Sequence, residues 1–225
     1  MTSICYIGSK SLSHVLSSIE RCKERLLTLA LGTSAEAAQN QIIESVMSYW
    51  KDQPGIGVNI VDKLLNYTIL SPTSVIRWAL STNGERLGKT FVFEMVSATV
   101  GKVTKRLRQV TLANNMDGLL PDMQEGLVLR ERKSMKDLFQ LMEEELDGWV
   151  QGSKSELIVD QEIKAMIKQW GERWLRVFRR KLAVEDGWLL EAEAQKEKSA
   201  AVLEEKSAEE GNLDLDIAND DLMDV

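Results

Sequence analysis

Apolar residues recur every three or four positions over residues 42–80, in three runs separated by two short polar breaks. This spacing places the apolar side chains on one face of an α-helix. Pro54-Gly55 ends the first run, because proline lacks an amide hydrogen and glycine tolerates a left-handed backbone. Ser71-Pro72 is typical of a helix start. Helices joined by so few residues are predicted to pack antiparallel, as in HEAT-type repeats.

The same helical period continues on both sides of this region and predicts an all-α, HEAT-like helical-repeat domain of about eight helices over residues 1–190. A serine at position 134, followed three residues later by Asp137, is predicted to open one of these helices as a capping box. The predicted flanking helices cover residues 11–31, 85–112, 134–149 and 157–182.

Three stretches interrupt the helical pattern. Residues 113–133 contain two glycines, one proline and no sustained period, so a flexible loop is predicted there. Gly187 separates a last apolar patch, residues 188–190, from the helix before it. Residues 191–225 lack a continuous apolar face and are predicted to form a disordered acidic tail, whose end is a solvating segment or a short docking motif.

Charge follows the same division of the chain. The formal net charge is −7 for 225 residues, 44% of which are hydrophobic. The segment from residue 191 onward contains three lysines and twelve acidic residues, a net charge of −9, so the first 190 residues carry +2. An almost neutral domain, large enough for a sizeable core, is thus joined to an acidic tail. No apolar run approaches the roughly 20 residues of a membrane-spanning helix.

Groups that could carry chemistry are sparse. The sequence GERLGKT at 84–90 ends like a phosphate-binding loop, but it has three residues between its glycines where that motif needs four, and a predicted helix precedes it. The single histidine, His14, lies near Ser11, where packing or helix capping explains it. Cys5 and Cys22 are too few and too far apart for a zinc or redox site. The sequence predicts no enzyme, metal or cofactor.

Two rows of basic residues are candidate binding surfaces. Each row clusters within about a third of a turn on one helix, given the helical rotation of about 100° per residue. Such rows hold RNA phosphates or an acidic partner, although a solvated, salt-bridged face explains them as well. The first row is Lys102, Lys105 and Arg106, and the second is Arg173, Arg176 and Arg180.

The six tryptophans divide into two groups. Four lie at core positions of the helical period and are assigned to packing: Trp50, Trp78, Trp170 and Trp174. Trp149 and Trp188 lie near the ends of predicted helices, and we interpret them as candidates for a partner-binding surface.

Motifs along the first 190 residues also follow a family pattern. They lie at residues 6–11, 13–14, 49–50, 54, 61–65, 75–80 and 91–95, with weaker likeness at 137–140 and 170–178. In this order they resemble the large subunit of the nuclear cap-binding complex, of fungal type. The similar part is its third, C-terminal helical-repeat domain, which is of the same type as the middle domain of translation initiation factor 4G.

The resemblance implies a non-catalytic scaffold that supports a small RNA-recognition-type cap-binding subunit. That subunit binds the methylated guanine, so the large subunit contacts capped RNA indirectly. Recruitment of mRNA processing and export factors, including those of splicing and nonsense-mediated decay, is also implied. So is a location in the nucleus, with shuttling to the cytoplasm.

Two departures from the family qualify this expectation. Long charged helices occupy the place of residues 113–133 in the animal members, and two upstream repeat domains precede the similar region. We therefore expect a fragment of a longer protein. The alternative is a helical-repeat adaptor unrelated to capped RNA, tied to its partner through the acidic terminus.

Overall fold

A computed structural model shows the central helices beginning where the serine and proline pattern predicts. Pro54 and Pro72 each occupy the first turn of a helix. Ser71 caps the second of these helices, because its hydroxyl oxygen accepts a hydrogen bond from the Ser74 amide at 3.1 Å. The three helices predicted over residues 42–80 are therefore confirmed.

The structure describes residues 1–32, 34–81, 84–116, 121–156 and 158–220, without the side chains of 114–116, 121–125 and 199–220. Every regular element within these ranges is a helix, which confirms the all-α prediction. The elements are α1 Thr2–Ile7, α2 Leu12–Arg21, α3 Lys23–Ala30, α4 Ala35–Tyr49, α5 Pro54–Asn66, α6 Pro72–Leu80, a 3₁₀ helix Gly84–Gly88, α7 Thr90–Met116, α8 Pro121–Val150 and α9 Gln161–Asp220.

The helices pack around one hydrophobic core, and most contact the next helix in the chain, whereas α5 and α6 both pack against α4. The core is a continuous cluster of buried side chains that begins at Cys5 in α1 and reaches Leu189 in α9. α7 packs against α5, α6 and α8, while α9 packs against α8, α7 and the 3₁₀ helix. The last three helices thus form a layer on the hairpins of the first six. None of the helices in the described ranges is both long and apolar enough to cross a membrane.

A buried glutamine ties three of the early helices together. The Gln39 amide nitrogen donates to the Ala30 carbonyl at the end of α3, at 3.1 Å. Its oxygen accepts from the Ser71 amide at 2.8 Å and from the Ser74 hydroxyl at 2.7 Å. The side chain therefore satisfies backbone groups at two helix ends that have no partner within their own helices.

The N-terminal region contains more helix boundaries than the sequence predicts. The predicted helix over 11–31 is two helices that meet at Cys22, whose amide bonds back to the carbonyls of Ser18 and Ile19. This turn lets both apolar stripes face the core, with Ile19 buried on one side and Leu26 on the other. A further short helix, α1, precedes them.

The predicted loop over 113–133 is wrong in its extent. α7 continues to Met116, and α8 begins at Pro121, where proline is favoured in the first helical turn. Ser134 therefore lies inside α8 and opens no helix, so the predicted capping box is wrong as well. Residues 117–120, which join the two helices, lie outside the described residues.

Tertiary ion pairs anchor α8 at residues 131 and 132, in the stretch where the sequence shows no apolar period. Glu131 accepts from Arg106 of α7 at 2.9 Å. Arg132 donates to Glu193 of α9 at 2.6 Å. Both pairs join residues distant in sequence, so helical periodicity could not reveal them.

α9 continues through the boundary predicted at Gly187. The glycine lies inside the helix, with no neighbouring atom where a Cβ would project, and it costs the helix only about 1 kcal/mol relative to alanine. Beyond it Ala192 is buried. The alanine, glutamate and lysine residues that follow favour helix, and α9 reaches Asp220 where disorder is predicted. Residues 221–225 lie outside the described residues.

Trp149 is buried in the centre of the fold, which corrects its assignment to a partner surface. It is 5% exposed, and its indole nitrogen donates to the Leu80 carbonyl at 2.5 Å. Leu80 is the last residue of α6, so its carbonyl accepts no hydrogen bond from an amide of that helix. The indole is needed there because it supplies both packing area and the missing donor.

Glu185 is the buried carboxylate of the described residues. One oxygen accepts from Arg108 Nε at 2.7 Å, and the other lies 2.6 Å from Lys181 Nζ. Burial raises the pKa of the Glu185 carboxyl, but the hydrogen bonds from Arg108 and Lys181 outweigh this effect, so the pKa lies below its ordinary value. The ionised form therefore stabilises the contact between α7 and α9.

We expect Trp149→Phe to lower the free energy of unfolding by about 2–3 kcal/mol, because it leaves the Leu80 carbonyl buried without a donor and removes packing area. Urea unfolding followed by far-UV circular dichroism measures the loss. Trp188→Phe is the matched control at a half-buried tryptophan and should cost less than half as much. Equal losses in the two variants would contradict the role of the indole donor.

We expect Glu185→Gln to lower the free energy of unfolding at pH 7 by about 2 kcal/mol. Because the folded carboxyl has the lower pKa, its stabilisation is complete above the ordinary value of 4.5 and is lost as pH falls through the folded pKa. Urea unfolding between pH 7 and pH 3 should show a shallower acid limb in the variant. Glu143→Gln, at an exposed pair, should change stability by less than about 1 kcal/mol; an unchanged acid limb in Glu185→Gln would contradict the shift.

Candidate partner-binding site

The first basic row lies at the mouth of a cleft beside α7. The cleft has a volume of about 580 Å³ and is bordered by the chain after α3, the end of α5 and the start of α6. Its lining combines the three predicted cations with apolar side chains: Lys102, Lys105, Arg106, Leu31, Leu65 and Leu70. We call this feature the α7 cleft.

Most of the positive charge at the α7 cleft is already paired. Lys102 Nζ lies 3.1 Å from an Asp62 carboxylate oxygen and donates to the Asn66 side-chain oxygen at 2.6 Å. Arg106 pairs with Glu131 at 2.9 Å. Lys105 is exposed and has no ion pair among the described residues. Two of the three cations in this row are therefore salt-bridged, as the alternative to a binding surface predicts.

Thr68 places a strained backbone at the edge of the same cleft. Its φ of 58° lies in the left-handed region, which a β-branched residue rarely adopts. The conformation follows from the tight turn between α5 and α6, where the Ile69 amide bonds to the Leu64 carbonyl at 3.0 Å. Such strain costs of order 1–3 kcal/mol and persists because both neighbouring helices are fixed by the core.

The second basic row borders a smaller groove between α9 and the start of α7. This groove has a volume of about 280 Å³. Trp170 and Val177 of α9 line it together with Phe93 of α7, and we call it the α9 groove. Arg173 lies in the lining, while Arg176 and Arg180 are exposed further along α9. Trp170, assigned to packing from its period, is half-buried and contributes to this surface.

Trp188 is half-buried, so it is only partly available to a partner. The Arg108 guanidinium lies 4.9 Å from the centre of its ring. The same guanidinium donates to the buried Glu185. The indole thus covers the buried ion pair, which gives it a structural role alongside any partner contact.

The remaining sequence features have structural explanations. The GKT sequence joins the 3₁₀ helix to the start of α7, and helix α6 precedes it, as predicted. Ser11 caps α2 by accepting from the His14 amide at 3.3 Å, and the His14 ring lies 2.7 Å from the same hydroxyl. The capping role predicted near Ser11 and His14 is therefore confirmed. In the described ranges, no group of three or more histidine, cysteine, aspartate or glutamate residues is arranged to hold a metal ion.

Sequence reasoning missed the residues at and just before the start of α7 that line the α9 groove. Lys89 and Phe93 lie more than 70 residues from Trp170 in sequence, and no periodicity links them. A signal was nevertheless present within α9. Trp170, Val177 and Val184 are spaced by seven residues and therefore lie on one face of the helix. This apolar row is additional to the apolar residues that pack against α8.

Comparison with known families places the fold. A family described as MIF4G like matches residues 1–186. The chain belongs to this MIF4G-like family. The helical-repeat family expected from the residue pattern is therefore confirmed over the region that contains both grooves.

The chain is also similar to curated proteins named nuclear cap-binding protein subunit 1. It is 31% identical to that of Schizosaccharomyces pombe over 115 residues, 51% of this chain and 14% of that protein. Identity is 27% over 111 residues for Caenorhabditis briggsae, 49% of this chain and 14% of that protein. For Homo sapiens it is 23% over 108 residues, 48% and 13% of the two chains. The chain thus spans about one seventh of the length of these relatives.

The two thiols of this MIF4G-like domain differ in environment. Burial raises the pKa of the Cys5 thiol above its ordinary value. Cys22 is partly exposed. A buried thiol that stays protonated is a poor nucleophile, so Cys5 is a packing residue.

We expect iodoacetamide to alkylate Cys22 of the native chain at least tenfold faster than Cys5, because only the Cys22 sulfur is reached by solvent. Peptide mass spectrometry after timed quenching measures both rates. In 6 M guanidinium chloride the two rates should become similar, which controls for intrinsic reactivity. Equal rates in the native protein would contradict the burial of Cys5.

Proposed function

We propose that this chain is a non-catalytic scaffold domain of a nuclear cap-binding complex. The observation that carries the proposal is the MIF4G-like match over residues 1–186, joined to the similarity with nuclear cap-binding protein subunit 1 from fission yeast, nematode and human. In this role the helices support binding surfaces, and the methylated guanine is bound by another subunit.

The proposed partners are a small RNA-recognition-type cap-binding subunit and mRNA processing and export factors. Two separate exposed features support more than one partner: the α7 cleft and the α9 groove lie on different parts of the helical layer. A helical repeat is suited to this use, because each exposed helix face binds without disturbing the core. The proposed location is the nucleus, with shuttling to the cytoplasm.

We propose that contact with capped RNA is indirect. A surface that follows an RNA backbone needs several cations free to neutralise phosphates. At the α7 cleft, Lys102 and Arg106 already face carboxylates, which leaves Lys105 as the cation without an ion pair in the described part of that row. This distribution of charge favours a partner protein over phosphates at the cleft.

We also propose that the domain acts within a longer chain, as the share of the relatives' length that it covers suggests. Residues 1–190 would then form the scaffold domain, and the acidic residues that follow would extend from it. This division agrees with the change in charge at residue 191.

A chimera tests the scaffold role. The segment of the Schizosaccharomyces pombe relative that aligns with this chain is replaced by residues 1–190, and the protein is mixed with its small cap-binding subunit. We expect the chimera to hold the small subunit and to be retained on methylguanosine resin within about threefold of the parent, because the new domain supplies the same helical support.

Two controls make the outcome decisive. A parent lacking the segment should lose retention, which shows that the segment matters. Circular dichroism on the chimera confirms that it is folded. A folded chimera that holds neither the small subunit nor the resin would contradict the proposed function and favour an adaptor unrelated to capped RNA.

A further inference from the structure

α9 leaves an apolar row exposed on the side that faces away from α8. Val177 is 48% exposed and Val184 is 54% exposed, and Trp170 is half-buried at the same seven-residue spacing. Seven residues turn an α-helix by nearly two full rotations, so these side chains lie in one line. A line of this kind on one helix matches the seam that a second helix would cover.

The cations along this row lack the acidic partners found elsewhere on α9. Within the described residues no ion pair involves Arg173, Arg176 or Arg180, and no acidic side chain lines the α9 groove. Arg179, on the opposite face, pairs with Glu143 at 2.6 Å. The contrast lies within one helix, so the unpaired cations are a property of this face.

Aromatic side chains give the groove a defined floor. Phe93 and Trp174 meet edge to face with ring centres 5.1 Å apart. The Arg173 guanidinium stacks 4.9 Å from the Trp170 ring centre, which holds its charge at the rim. Lys89 lines the opposite side. An occupant must therefore offer apolar side chains to the floor and carboxylates to both rims.

One segment of this chain has that composition. Residues 207–225 contain seven acidic residues and no lysine or arginine. Leucine and isoleucine alternate with aspartate in their centre, at Leu213, Leu215 and Ile217. This terminus has the sequence of a solvating segment or a short docking motif, and the positive charge of the α9 groove complements its negative charge.

We propose that the α9 groove binds the acidic segment 207–225 of a second copy of this chain. The segment cannot return to its own groove, because α9 is helical through Asp220. At about 1.5 Å per residue, the helix carries position 214 roughly 55 Å from Val177. Two copies that exchange their segments make the same contact twice, as in a two-fold symmetric dimer.

This inference is independent of the cap-binding role. It requires only the exposed row on α9 and the acidic terminus, and a monomeric chain would leave the proposed scaffold function unchanged. If the groove instead binds another acidic protein, the isolated chain should be a monomer in solution. That result would overturn the proposal.

Sedimentation equilibrium of the 225-residue chain in 50 mM NaCl tests the exchange. We expect a dimer at tens of micromolar, with a dissociation constant that rises roughly tenfold or more in 500 mM NaCl, because salt screens the carboxylate–arginine contacts. Arg173→Glu/Arg180→Glu should raise the dissociation constant by at least about tenfold. Arg21→Glu/Arg25→Glu, the same charge change on another exposed surface, should leave it unchanged.

A second experiment reverses charges in the acidic segment, which lies outside the domain of residues 1–190. Glu209→Lys/Asp214→Lys in the segment should weaken self-association as the groove variant does. Mixing this variant with Arg173→Glu/Arg180→Glu should recover a mixed dimer, because the reversed segment meets the reversed groove and the unchanged segment meets the unchanged groove. A monomeric wild-type chain, a dimer insensitive to the groove variant, or no recovery on mixing would each overturn the proposal.

Discussion

The hydrogen bond between the Trp149 indole and the Leu80 carbonyl is the contact on which the remaining packing depends, because it joins the first six helices to the last three. The same ring lies against Gly84, where an added Cβ would be 3.0 Å from it and 2.9 Å from Ile167 of α9. A side chain at position 84 would therefore force the Ile167 side chain or the Trp149 ring to shift. One buried side chain therefore positions α6, the 3₁₀ helix, α8 and α9 together.

Ion pairs between distant helices also hold the last three helices together. Arg108 and Glu185 join α7 to α9 in a buried site, while Glu131 and Arg132 join α8 to its two neighbours. A buried carboxylate is tolerated only with such partners. The layer formed by α7, α8 and α9 is consequently held by charge at its edges and by apolar packing at its centre.

The two basic rows have similar spacing in the sequence but different surroundings in the structure. On α7 the cations face carboxylates supplied by α5 and α8, so Lys102 and Arg106 are neutralised. On α9 the corresponding face looks outward beside an aromatic groove, and Arg173 stacks on Trp170. The charged and aromatic side chains that the core does not use lie on exposed helix faces of this MIF4G-like domain, and these are the faces that we propose as partner surfaces.

The sequence by itself determined the all-α class, the central helices and the family, because helical periodicity and the Ser71-Pro72 start are local signals. It also located the basic rows on their helices. Only the tertiary structure decided that Trp149 is buried, that residues 121–133 are helical and that α9 passes Gly187. Those outcomes depend on acceptors brought from distant positions, such as the Leu80 carbonyl for Trp149 and the Glu193 carboxylate for Arg132, which no local pattern encodes.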